Sequence, residues 1–116
     1  MFRFEQLDVW KDALKFAQRI YALLVKFPRE EMFALCDQLR RAVVSISANI
    51  AEGSGSSSNK DFKNYLNVAV KSIFEVVSLL AIAEQNKYIA TAEFIRCREE
   101  AETLAKRIQS LRNSLK

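Results

Sequence analysis

Histidine is absent from this 116-residue sequence, and glycine, proline and cysteine are scarce. Without histidine the chain cannot form a Ser-His-Asp or Cys-His catalytic pair, nor the Glu-x-x-His metal site of ferritin-like bundles. Two glycines and one proline supply too few turn residues for a β-rich fold, and they favour long helices with few connections. These absences predict an all-α protein that is not an enzyme and needs no metal or cofactor.

The balance of charge and hydropathy narrows the range of partners. Eighteen basic residues against 14 acidic ones leave a net charge of +4. This excess suits a polyanion, but it lies well below the charge of a dedicated nucleic-acid-binding domain. Half of the residues are apolar, which excludes a disordered chain and predicts one domain over residues 1–116.

The same sequence predicts a cytoplasmic protein with no membrane contact. Lys71 and Glu75 interrupt the longest apolar segment, and the first nine residues lack the apolar region of a signal peptide. Cys36 and Cys97 each lie within an apolar helical pattern. We therefore expect two buried free thiols in a reducing compartment.

Apolar residues recur at helical spacing in four segments, at about residues 7–26, 29–52, 59–86 and 91–114. Pro28 is typical of a helix start, Gly53 of a C-terminal cap, and Ser58 with Asp61 of a capping box. Because most of the connections are short, consecutive helices are expected to be antiparallel. The sequence predicts an up-down-up-down antiparallel four-helix bundle.

The second and third helices are apolar around most of their circumference. A helix that contacts one neighbour needs only one apolar stripe, so these two must be covered on several sides. In a chain this short, that cover is expected to include other copies of the chain. The predicted subunit contacts are Val44, Ala48, Ala51, Phe74, Leu79 and Ile82.

A polar stripe runs beside the apolar stripe of the second helix, at spacings of three and four residues. We interpret it as a structural network, because buried polar groups must be paired and such a network can determine subunit register. A ligand site is the alternative interpretation. The predicted members are Gln38, Arg41, Ser45, Asn49 and Glu52, with Glu75 of the third helix.

Basic residues form a further stripe on the first helix and recur near the end of the fourth. Most such runs are solvated faces, but repetition around an oligomer would add many weak phosphate contacts together. The candidate nucleic-acid contacts are Lys11, Lys15, Arg19, Lys26, Lys106, Arg107 and Arg112.

Three segments of the sequence are similar to a known family: FEQLDVW at Phe4–Trp10, Phe27-Pro28, and QLRRAVVSISANIAEG at Gln38–Gly53. They resemble the four-helix bundle family of 23S rRNA-intervening sequence proteins. The resemblance implies a ring-like homopentamer, and no enzymatic activity is established for the family. A related branch serves as the accessory protein of diversity-generating retroelements, binding nucleic acid and a reverse transcriptase. Lys71 stands where the family often has glycine, and Val77 where it often has a second glutamate.

These observations predict a non-enzymatic, cytoplasmic homo-oligomer. We expect a structural or adaptor module with weak, sequence-tolerant binding of RNA or DNA. One alternative is an adaptor that binds only proteins, such as a nucleic-acid enzyme, and a second is a bundle that binds a small molecule.

Overall fold

The computed structural model describes residues 1–116 and contains four α-helices and no strand. Each helix packs against the next, and α1 also contacts α4, so the bundle closes on itself. This architecture confirms the predicted all-α, up-down four-helix fold. The elements are a 3₁₀ turn at Arg3–Gln6, α1 at Asp8–Leu24, a 3₁₀ turn at Arg29–Glu31, α2 at Leu35–Ser54, α3 at Asn59–Gln85 and α4 at Thr91–Ser114.

The connection between α1 and α2 is longer than predicted. Pro28 has extended backbone angles and starts the short 3₁₀ turn, whereas the sequence predicted the second helix from residue 29. Ala34 leaves the helical region, with φ −119° and ψ −100°, so α2 begins only at Leu35. The Leu35 amide donates to the Glu31 carboxylate at 3.4 Å, which supplies one acceptor for the free amides of the first turn.

The sequence suggested Gly53 as the C-terminal cap of the second helix, and this prediction is wrong. α2 continues to Ser54, and Gly55 follows it as the cap. A Cβ atom at Gly53 would lie 2.6 Å from Tyr65 Cβ and 2.9 Å from Phe62 Cδ1. Gly53 is therefore required because α2 and α3 approach each other closely at this point.

The turn between α3 and α4 is built on a residue with positive φ. Lys87 has φ 62°, its amide donates to the Glu84 carbonyl at 3.0 Å, and the Tyr88 amide donates to the Ala83 carbonyl at 2.9 Å. This is the Schellman arrangement of a helix C-terminus. The Tyr88 hydroxyl also donates to Glu31 at 3.1 Å, which joins this turn to the α1–α2 connection.

Helix α3 is the central element of a core of 28 buried hydrophobic residues. By length and composition it is the one helix that could cross a membrane. In the bundle, however, it packs against both α2 and α4, and its buried residues run from Phe62 to Ala83. This placement is that of a core helix in a compact globule.

Both cysteines are buried and free, at Cys36 in α2 and Cys97 in α4. Burial is the main cause that raises the pKa of each thiol above its ordinary value. Because the thiolate is the reactive form, both side chains are expected to behave as small apolar core residues.

Candidate functional site

Part of the predicted polar stripe forms a hydrogen-bonded cluster between α2 and α3. The Asn49 side-chain amide donates to the Ser45 carbonyl at 2.8 Å and lies 2.9 Å from the Ser45 hydroxyl. The Ser72 hydroxyl lies 2.9 Å from that of Ser45 and 3.1 Å from the Val68 carbonyl. Ser72 was absent from the predicted network, although a serine within the buried arc of α3 is a signal for such a role.

The remaining members of the stripe, three charged residues and Gln38, lie on the outside of the chain. The Arg41 side chain is 80% exposed and pairs with Asp37 of its own helix at 3.1 Å. Gln38, Glu52 and Glu75 are exposed, and their side chains make no hydrogen bond within the chain. A single chain therefore joins Ser45 and Asn49 but leaves the charged part of the predicted network to solvent or to a partner.

Most of the predicted subunit contacts are on the surface. Val44, Phe74 and Ile82 are 46%, 67% and 47% exposed, and Ala48 and Ala51 are half-buried. Leu79 differs from the prediction, because it belongs to the core and is only 8% exposed. Packing against both α2 and α4 widens the buried arc of α3, so that it includes this position.

A second exposed apolar patch surrounds the end of α1 and the connection to α2. Val25 and Phe33 are its most exposed members, at 85% and 89%. The sequence reasoning missed this patch because it assigned the residues after Pro28 to a regular helix. Its members are Tyr21, Val25, Met32 and Phe33.

The basic stripe of α1 lies at the seam with α4, where acidic side chains face it. Three of the seven candidate nucleic-acid contacts make ion pairs across this seam. Arg19 of α1 pairs with Glu100, Lys26, just after α1, pairs with Glu93, and Arg107 of α4 pairs with Asp12. The hydrogen bond from Lys26, followed by that from the Ala90 amide, lowers the pKa of the Glu93 carboxyl.

The other four candidates have no acidic partner. Lys11, Lys15 and Lys106 are exposed and make no ion pair, and Arg112 donates to the Asn67 side chain at 2.7 Å. The candidate surface is thus mixed: on the α1 side Lys11 and Lys15 are unpaired, whereas Arg19 and Lys26, which follow them, are paired.

An open, mainly apolar groove of about 510 Å³ lies between α3 and α4. Phe74 and Val77 of α3, Ala101 and Ala105 of α4, and charged side chains of α4 line it. Elsewhere, no group of three or more Cys, Asp or Glu side chains is placed to hold a metal ion.

The sequence and the fold are both similar to known proteins. The sequence pattern of the 23S rRNA-intervening sequence protein family matches residues 5–110. A crystal structure from the S23 ribosomal protein family of Bacteroides thetaiotaomicron VPI-5482, described as a protein with unknown function, superposes with a TM-score of 0.80. The two are 29% identical, over 91% of this chain and 99% of the other. No curated protein is significantly similar to this chain. Because the family pattern covers all three connections and all but the last turn of the four helices, the chain belongs to the 23S rRNA-intervening sequence protein family.

Proposed function

We propose that the chain is a non-enzymatic structural or adaptor module of the cytoplasm that acts as a homo-oligomer. The observation that carries this proposal is the exposure of large apolar side chains on the outer faces of α2 and α3, at Val44, Phe74 and Ile82. Large apolar side chains exposed on the outer faces of a bundle suit a contact with another subunit. The resemblance to the family favours a pentamer as the assembled form.

The exposed polar residues beside this surface support the same proposal. Arg41, Glu52 and Glu75 carry opposite charges on neighbouring helices and lack partners outside their own helix. A second subunit would bring such groups into ion pairs that select one register.

Multi-angle light scattering tests the assembly. We expect a mass several times that of one chain at micromolar concentration, and a smaller mass for Phe74→Asp with unchanged helical circular dichroism. The matched control is Gln18→Asp, which places the same new charge at an exposed polar position of α1, away from the α2 and α3 surface. A stable wild-type monomer would contradict the proposal.

Weak, sequence-tolerant binding of RNA or DNA is the second part of the proposed function. The four candidate cations without an acidic partner, Lys11, Lys15, Lys106 and Arg112, support it, since a ring would repeat them around one surface. Titration of labelled RNA at several salt concentrations tests this part. We expect affinity that falls as salt rises, and no binding at low salt would remove it.

The ion pairs of the α1–α4 seam favour one alternative, an adaptor without nucleic-acid affinity. Arg19, Lys26 and Arg107 already have carboxylate partners, and a phosphate would have to compete with those carboxylates. In that case a nucleic-acid enzyme, such as a reverse transcriptase, is the expected partner. Binding of that enzyme without binding of free RNA would support the alternative.

A further inference from the structure

Three aromatic rings lie together at the end of the bundle where α1 and α3 begin. The rings of Phe2 and Phe4 stack with centroids 5.6 Å apart and planes 10° from parallel. Phe4 in turn contacts Trp10, with a centroid distance of 4.9 Å. Phe2 is 71% exposed, so a stacked pair of rings presents one open face to solvent. We call Phe2, Phe4 and Trp10 the aromatic end.

The first 3₁₀ turn holds these rings in place. The Phe2 amide donates to the Glu5 carboxylate at 2.8 Å, and the Glu5 amide donates to the Phe2 carbonyl at 3.1 Å. The Arg3 guanidinium lies 4.9 Å from the centroid of the Phe62 ring, which attaches the turn to α3. The open ring is therefore presented in one orientation, which lowers the entropy cost of binding.

Cations without acidic partners occupy the same end of the bundle. The Asn59 side chain donates to the Lys116 carbonyl at 3.0 Å, so the end of α4 lies beside the start of α3. Arg3, Lys60 and Lys116 are exposed, Lys63 is half-buried, and none of the four forms an ion pair, in contrast to the cations at the α1–α4 seam.

Acidic residues moderate the charge of this end. Asp8, Glu52 and Asp61 are exposed nearby in sequence and fold, so the local positive potential is modest. Charge interactions alone would give weak binding, so stacking on the exposed aromatic ring must supply the remaining binding free energy. An exposed ring with cations around it fits a flexible polyanion that itself carries aromatic rings.

We infer that the aromatic end binds single-stranded nucleic acid, with a base stacked on Phe2 and phosphates near Lys60 and Lys63. Aromatic stacking is tolerant of sequence because every base has a π-face, and a duplex does not offer its bases in this way. This inference rests on the nucleic-acid binding proposed above and names its position. It moves the main contact from the α1 stripe to the end of the bundle.

The chain carries its own reporter for this site. Trp10 is the single tryptophan of the sequence, and it contacts Phe4. Titration of the full-length protein with a 12-nucleotide oligouridine is expected to change its fluorescence, whereas a duplex of the same length binds more weakly. Anisotropy of the labelled oligonucleotide gives the affinity at each salt concentration.

Substitutions separate stacking from charge. We expect Phe2→Ala and Phe2→Leu to weaken binding about tenfold with an unchanged salt slope, since leucine retains apolar surface but has no π-face. Lys60→Gln is expected to lower the slope of log K against log salt by about 0.7 for a phosphate contact. The matched control is Phe33→Ala, an exposed ring at the opposite end of the bundle, which should bind as the wild type does.

The outcomes are distinguishable. If the wild-type protein binds no oligonucleotide, the proposed nucleic-acid function fails together with this inference. If Phe2→Ala binds normally while Lys11→Gln or Lys15→Gln binds weakly, only the inference fails and the α1 stripe is the contact. A loss of oligomer mass in Phe2→Ala would make the ring a subunit contact and would overturn the inference.

Discussion

The seam between α1 and α4 and the seam between α2 and α3 are held together by different interactions. Three ion pairs bridge α1 and α4, and their side chains remain 22–55% exposed. The seam between α2 and α3 instead uses small residues: Gly53 allows close contact with Tyr65, and Ser45 meets Ser72 through a hydrogen bond of 2.9 Å. At the α1–α4 contact, long charged side chains reach across the space between the helices at the surface. At the α2–α3 contact, small residues let the two helices lie directly against each other.

The comparison shows where stability is concentrated. Exposed ion pairs contribute about 0–1 kcal/mol each, because water and salt screen them and their side chains lose entropy. Overpacking a close contact costs about 1–3 kcal/mol, because the backbone or a rotamer must shift. Substitutions in the α2–α3 seam should therefore matter more than those in the α1–α4 seam, although the latter looks more strongly bonded.

Gly53→Ala should have the largest effect. The added methyl group would lie 2.6 Å from Tyr65 Cβ, a contact that alanine relieves only by moving the helices apart. Alanine has a higher helix propensity than glycine, and this gain compensates part of the cost of overpacking. We therefore expect a net loss of about 1–2 kcal/mol in the free energy of unfolding. Gly55→Ala is the control, since its nearest new contact would be 3.5 Å. Equal stability of both variants in urea denaturation would contradict the close-contact explanation.

Ser72→Ala should have the next largest effect. It removes a buried hydroxyl that bonds with Ser45 and the Val68 carbonyl, at a cost of about 1 kcal/mol. Ser78→Ala changes an exposed serine of the same helix and serves as the control. Thermal denaturation of the two variants measures the difference, and an unchanged melting temperature for Ser72→Ala would show that the cluster is dispensable.

The pair of Arg107 and Asp12 should contribute less. A double-mutant cycle with Arg107→Gln and Asp12→Asn is expected to give a coupling energy of about 0.2–1 kcal/mol at low salt. This coupling should decrease toward zero in 1 M salt. A salt-independent coupling above that range would mean that this seam is as strong as the other.

The smallest effect should appear as a dependence on pH. Because Lys26 lowers the pKa of Glu93 in the folded chain, the pair contributes stability above the ordinary carboxyl pKa, and this contribution is lost as pH falls through the lowered value. The difference in melting temperature between wild type and Glu93→Gln should therefore shrink from pH 7 to pH 3. Glu99→Gln removes an exposed carboxylate without an ion-pair partner and should show no such trend.

The helices were predictable because apolar periodicity is a local signal, and the four segments appear close to the predicted positions. The residues at which the helices begin and end were less predictable. Pro28 is equally suited to a 3₁₀ turn and an α-helix, and Gly53 is equally suited to a cap and a close contact. Only the neighbouring helix, which brings Tyr65 against Gly53, distinguishes the two roles of the glycine.

The candidate sites were harder to predict than the fold. Arg19 and Glu100 are 81 residues apart in sequence, and Arg107 and Asp12 are 95 apart, so their pairing depends on the closure of the bundle. Leu79 had the same apolar character as Phe74, but the packing of α2 and α4 around α3 buries the first and exposes the second.

The sequence by itself determined the all-α fold and the number and approximate extent of its helices, because hydrophobic burial acts on each helix through a pattern of three to four residues. Tertiary structure alone decided which cations are paired and which apolar residues are exposed. Those properties depend on distances between side chains far apart in the chain, and they become defined only when all four helices are packed.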